Sequence, residues 1–321
     1  MKPDLSVELA PKHPRGLRLR NPVLTASGVL GYGETLPPGL ELSRLGAFVC
    51  KGTTLEPREG NPPPRIVETA AGMLNSIGLQ NIGVRAVVAQ MAPRWATWPT
   101  PVIVNIAGAR LEEYAEVARL LDGVPGVAAL EVNISCPNVA TGGHELGTNP
   151  RLAAEATRLV KAATSLPVLV KLSPNVTDIV EVAQAVAAAG ADALTLVNTL
   201  VGMAVDIRQR RPVLGNVTGG LSGSAIKPVA LAMVYRVAGA VDIPVVGCGG
   251  IATTQDALEF IMAGARAIQV GTACLVNPAA PAEIAQGLEQ FLIQESIADI
   301  GQLVGAARVP PAVSPAPVGR G

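Results

Sequence analysis

Ala128-Ala129-Leu130-Glu131-Val132-Asn133-Ile134 is a short apolar run that reads as a buried strand and ends among polar residues rather than continuing apolar. The pattern recurs. Strands are expected at residues 23–26, 47–52, 102–106, 128–134, 168–172, 193–197, 245–248 and 267–270, eight in all. Helical patterns lie between them, for example over residues 111–121, 150–163, 178–189, 227–240 and 254–263, each with apolar residues spaced for one buried face. Asn149 before Pro150 has the form of an N-cap followed by proline at the first helical position, and Asp178 three before Glu181 has capping-box spacing. Gly190 and Gly264 are placed to end helices in the left-handed conformation.

Parallel strands joined by helices fit a closed barrel or an open doubly wound sheet, and the strand ends decide between them. Lys51, Asn105, Asn133, Lys171 and Asn198 stand at the ends of five different strands, as expected where chemistry collects around a barrel mouth. An open sheet would gather such groups at one switch point behind a glycine-rich first turn, and the sequence has no such fingerprint. The fold class expected is therefore α/β, a (β/α)8 TIM barrel with active-site loop insertions, forming a single domain over residues 1–308. Residues 53–90 are a long proline- and glycine-rich connection suited to an insertion over the mouth, and residues 309–321 are expected to be a disordered tail.

A length of 321 residues suits one such barrel, and 34 glycines and 27 prolines supply the turns that many short strands need. Lys and Arg together number 25, as do Asp and Glu, so no global field draws the chain to nucleic acid or an anionic membrane. Pro3, Pro11, Pro14 and several charges interrupt the first 19 residues, which leaves no apolar signal core; a soluble cytoplasmic protein is expected. Cys50, Cys136, Cys248 and Cys274 are far apart in sequence, and His13 and His144 are the two histidines, so no metal site is expected.

Cys136 lies on a polar loop where an ionised sulfur could accept a proton; Cys50, Cys248 and Cys274 read as small buried hydrophobes. Lys51 and Lys171 at strand ends need an anion or a hydrogen-bonded partner, and Glu131 or Asp192 could supply an internal one for either, more readily for Lys171. The glycine-bearing segments 247–250 and 271–272, after the last two strands, let backbone N–H groups approach a phosphate; Gly223 could add another donor, and Ala26 and Ser27 could border a cofactor ring. Each isolated asparagine would ordinarily satisfy nearby backbone.

Glu131-Val132-Asn133-Ile134-Ser135-Cys136-Pro137-Asn138 resembles the active-site loop of the dihydroorotate dehydrogenase family. So do Thr25-Ala26-Ser27-Gly28, Cys50-Lys51-Gly52, Asn75-Ser76-Ile77-Gly78-Leu79-Gln80-Asn81, Val170-Lys171-Leu172-Ser173-Pro174-Asn175 and Gly247-Cys248-Gly249-Gly250, taken in order over roughly residues 5–300. The resemblance implies that Cys136 removes a proton from C5 of dihydroorotate while hydride leaves C6 for FMN, with orotate as product. It assigns Lys51, Asn75, Ser76, Ile77, Gly78, Leu79, Asn133, Asn138, Asn198 and Thr199 to the substrate. To FMN it assigns Ala26, Ser27, Lys51, Gly52, Asn105, Asn133, Lys171, Val197, Gly223, Gly249, Gly250, Gly271 and Thr272.

Ile77 and Gln80 look like the NAD-linked branch of the family, in which a separate subunit carries FAD and a [2Fe-2S] cluster and passes electrons to NAD⁺. That implies a homodimer of catalytic subunits within a heterotetramer. The nearest competing readings are a dihydropyrimidine dehydrogenase-like enzyme, whose substrate ring lacks the carboxylate, and an idle flavin-binding scaffold subunit.

Overall fold

A computed structural model describes residues 2–134 and 143–309. Eight strands form one parallel sheet: β1 (Val23–Thr25), β2 (Phe48–Val49), β3 (Val102–Ile106), β4 (Val127–Asn133), β5 (Val168–Lys171), β6 (Ala193–Leu196), β7 (Val245–Cys248) and β8 (Ala267–Val270). Each strand pairs with its neighbour in sequence from β2 to β8. The last strand then pairs with the first through Ile268↔Val23, Gln269↔Leu24 and Val270↔Thr25. A bridge between Leu24 and Ala47 joins β1 to β2. With no edge left open, the sheet is a closed barrel, and the expected (β/α)8 architecture is the one observed.

All eight expected strands are present: those at 102–106, 245–248 and 267–270 have the expected bounds, and the other five have shifted ends. The second is the most reduced: its regular ladder stops at Val49, although Cys50 N still donates to Ile103 O at 3.1 Å and Thr53 N to Asn105 O at 2.8 Å. Helices Leu111–Leu121, Pro150–Ala163 and Thr254–Ala263 have the expected bounds. The pattern at 178–189 narrows to Ile179–Ala188, and that at 227–240 to Lys227–Ala238.

The caps explain these limits. The Asn149 side chain accepts from Arg151 N and Leu152 N, and Asp178 accepts from Val180 N. A two-way capping box forms instead at Thr253 and Asp256. Gly190 and Gly264 have φ of +99° and +123°, conformations that a side chain would strain.

Two excursions from the barrel meet in one antiparallel sheet. Ile66–Thr69 and Gly72–Asn75 form a hairpin between β2 and β3, while Leu200–Met203 and Thr218–Ser222 lie between β6 and β7. The inner strands of the two excursions pair through Gly220↔Asn75, Leu221↔Leu74 and Ser222↔Met73. The proline-rich connection at 53–90 is therefore largely structured, and it is completed by a segment more than a hundred residues away.

Candidate active site

A cavity of about 1010 Å³ opens where the barrel strands end and the antiparallel sheet begins. Its size and mixed lining suit a cofactor together with a small polar ligand. Lys51, Asn105, Asn133, Lys171 and Asn198, the five polar strand-end residues, all line it. A parallel barrel points such residues toward one mouth, which is why five separate strands can address one ligand.

The wall formed by residues 75–81 contributes Asn75, Ile77, Gly78 and Leu79. Gly78 and Leu79 have φ of +76° and +56°, an unusual pair of left-handed residues, since Leu79 has a Cβ. Buried Asn81 secures this turn. Its Nδ2 donates to Leu79 O at 2.8 Å and Thr54 Oγ1 at 2.7 Å, and its Oδ1 accepts from Gly83 N at 2.8 Å. The Arg65 guanidinium donates to Asn61 O, Glu59 O and Gln80 Oε1 from the outer side. Ser76 is set apart: fully buried, it meets the Asn61 amide at 3.0 Å and does not line the cavity. Successive residues of an extended run face opposite sides, so the Ser76 side chain points away from the face that Asn75 presents.

Asn198 Nδ2 donates to Asn133 Oδ1 at 3.3 Å, and its own Oδ1 accepts from Thr199 N at 2.9 Å. Val197 and Thr199 line the cavity beside them. On another side stand Ala26, Ser27 and Gly52, and further round Gly223, Gly249, Gly250, Gly271 and Thr272. A Cβ on Gly250 would lie 2.9 Å from Gly223 O, so the loop after β7 and the end of the antiparallel sheet are in close backbone contact. Thr272 Oγ1 donates to Ser222 Oγ at 2.8 Å and ties in the loop after β8. Three glycine-bearing segments thus converge, an arrangement suited to an anion held by backbone N–H groups. Cys136 and Asn138 lie outside the described residues, as does the tail beyond Val309.

Beneath the cavity Glu131 is fully buried. It accepts from Asn105 Nδ2 at 2.8 Å, Thr195 Oγ1 at 2.9 Å and the Gln269 amide, and its Oε1 lies 3.9 Å from Lys171 Nζ. Lys171 Nζ also reaches Gln269 Oε1 at 3.3 Å and Ser27 Oγ at 3.4 Å. Of the two internal partners open to Lys171, Glu131 is therefore the one adopted; Asp192 pairs with Lys161 at 2.7 Å. Burial works against the Lys171 ammonium, but Cys248 and Glu131 more than offset it and raise the pKa. Burial also pushes the Cys248 thiol up.

Lys51 is in the opposite condition: burial lowers its pKa, only partly countered by Glu34. Cys50 and Cys274, pushed up by burial to about 12, are inert thiols. Cys248 is also buried, but it lines the cavity.

A family model described as dihydroorotate dehydrogenase matches residues 11–292. The chain belongs to the dihydroorotate dehydrogenase family. A relative from Trichlorobacter lovleyi is 59% identical over 306 residues, which cover 95% of this chain and 99% of that one. Another from Desulforudis audaxviator is 60% identical over 292 residues, covering 91% and 95%. A third, from Geobacter sulfurreducens, is 57% identical over 308 residues, covering 96% and 99%. All three bear the name dihydroorotate dehydrogenase B (NAD(+)), catalytic subunit.

The family resemblance reached the cavity walls and, through Asn105 and Lys171, part of the polar floor. Glu131 entered as part of a motif and as a possible partner for Lys171, while Thr195 and Gln269 did not stand out. The signal was present in the period of two: Glu131 shares a strand face with Asn133, and all three floor residues are polar positions inside otherwise apolar strands. Among the described residues, no cluster of three or more His, Cys, Asp or Glu side chains could hold a metal ion. None of their helices is long and apolar enough to cross a membrane.

Proposed function

We propose that this chain oxidises dihydroorotate to orotate in pyrimidine biosynthesis, using FMN in the mouth cavity and passing electrons through a partner subunit to NAD⁺. The convergence of five strand-end polar residues on one cavity carries this reading, and membership of the family supplies the substrate's chemistry. The names of the relatives support NAD⁺ as acceptor and, through the words catalytic subunit, a partner.

The cavity fits the flavin by its chemistry. Asn105 Oδ1 is buried without a hydrogen-bond partner among the described residues, beside Gly52 on the cavity wall. A buried orphan acceptor is costly, and an N–H of a flavin pyrimidine ring would satisfy it. Lys171 stands ready for the electron-rich side of the same ring, with Ala26 and Ser27 along it. Backbone groups at Gly223, Gly249, Gly250, Gly271 and Thr272 would receive the phosphate. FMN, when bound, supplies the acceptor for the hydride from C6 of the substrate.

The chain's own residues bind and deprotonate. Asn75, Asn133, Asn198 and Thr199 offer donors and acceptors to the amide-like ring, with Asn138 added from the loop. The turn at Gly78 and Leu79 presents backbone to the carboxylate, and Lys51 adds a cation between ring and cofactor. Cys136, three residues beyond the end of β4, takes the C5 proton as thiolate, on the face opposite hydride departure. Catalytic chains pair as homodimers and bind two partner subunits carrying FAD and a [2Fe-2S] cluster, in the cytoplasm.

Anaerobic addition of dihydroorotate to the purified yellow chain tests this directly: bleaching of the flavin is expected. Bleaching by dihydrouracil with no response to dihydroorotate would overturn the substrate assignment, and a chain that takes up no flavin would overturn the whole reading.

A further inference from the structure

The polar floor is built around one carboxylate. Glu131 sits at the centre of the barrel, and the groups it meets come from β3, β5, β6 and β8 through Asn105, Lys171, Thr195 and Gln269. A carboxylate can only accept hydrogen bonds, so each neutral group facing it must present a donor. That requirement sets the orientation of two amides. Asn105 turns Nδ2 toward Glu131, which leaves Oδ1 as a buried acceptor beside Gly52 at the cavity wall. Gln269 turns Nε2 toward Glu131, which leaves Oε1 to accept from Lys171 Nζ at 3.3 Å. The same carboxylate lies 3.9 Å from the Lys171 ammonium, whose side chain is only 5% exposed.

We propose that Glu131 is a positioning residue for the flavin: it fixes Asn105 with its acceptor toward the ring, holds Lys171 in place, and lowers the flavin's reduction potential by adding a negative charge to the floor. The inference rests on the FMN reading above and deepens it. Without Glu131 the Asn105 amide could invert and offer a donor, and the floor would lose a negative charge that opposes electron density on the reduced ring. Low dielectric makes both effects larger than they would be in water.

The test compares FMN-loaded wild type with Glu131→Gln, which has the same shape without the charge, and reads the flavin midpoint potential and the dissociation constant for FMN. The expected result is a shift of at least tenfold in the reduced-to-oxidised ratio toward reduced flavin, about 30 mV for a two-electron couple. A structural role alone would weaken FMN binding without moving the potential in that direction.

Glu131→Asp keeps the charge but draws it back by one methylene, so it separates charge from reach. It should hold the potential within about threefold of wild type in that ratio while losing at least tenfold in FMN affinity. FMN-loaded Glu131→Gln with an unshifted potential would overturn the proposal. Should Glu131→Gln not retain FMN, wild-type affinity in Glu131→Asp would overturn it equally. Either result leaves the flavin reading standing, whereas a wild-type chain that binds no FMN removes both.

Discussion

Cys136 and Lys171 represent two ways of placing a reactive group. Lys171 is held from several sides within the barrel floor, while Cys136 is proposed as the base from its place in the sequence, three residues beyond the end of β4. Cys136→Ser is expected to slow reduction of the flavin by dihydroorotate about 10²- to 10⁴-fold near neutral pH, because a hydroxyl is a far weaker acid than a thiol and forms little of the deprotonated base. Stopped-flow measurement of the half-reaction checks this, and an unchanged rate removes Cys136 from the base role. Cavity-lining positions were legible in the sequence where a motif carried them. The hydrogen-bonded setting of Glu131 was not, because it depends on Thr195 and Gln269, which are distant in sequence and join it only when the barrel closes.

Elements were legible where their causes are local. Alternating or continuous apolar runs marked the strands, and Asn149, Gly190 and Gly264 marked helix ends through backbone chemistry that depends on a few neighbouring residues. Capping also gives a stability expectation. In the box at the start of Thr254–Ala263, the Thr253 hydroxyl accepts from Asp256 N at 3.2 Å. Thr253→Ala should cost about 1 kcal/mol in urea unfolding without changing FMN affinity. The antiparallel sheet was not legible, because Gly72–Asn75 finds its partner strand only across the barrel mouth, with Asn75 Nδ2 reaching Gly220 O at 3.3 Å.

Where that sheet meets the glycine loop after β7, Gly250 has φ of +77°, and an added Cβ would also lie 2.8 Å from Lys227 Cβ. Gly250→Ala is therefore expected to weaken FMN binding at least tenfold, as measured by fluorescence titration. Wild-type affinity in that variant would take the phosphate away from this loop.

At the scale of the molecule, closure of β8 onto β1 turns eight separate strand ends into one mouth, and the two excursions wall it in. A ligand that bridges the floor, the glycine loops and the antiparallel sheet should stabilise all of them together. FMN at 100 times its dissociation constant is expected to add about 2.7 kcal/mol to the stability of the folded chain, a rise of several degrees in Tm by calorimetry. A Tm independent of FMN would mean that the folded state gains nothing from it.

The most direct test is a crystal structure of the chain with FMN and orotate. The expected result places orotate between the flavin ring and the Cys136 sulfur, with Lys51, Asn75, Asn133 and Asn198 around it. Flavin bound away from the mouth cavity, or Cys136 turned from the orotate ring in every conformer, would contradict it.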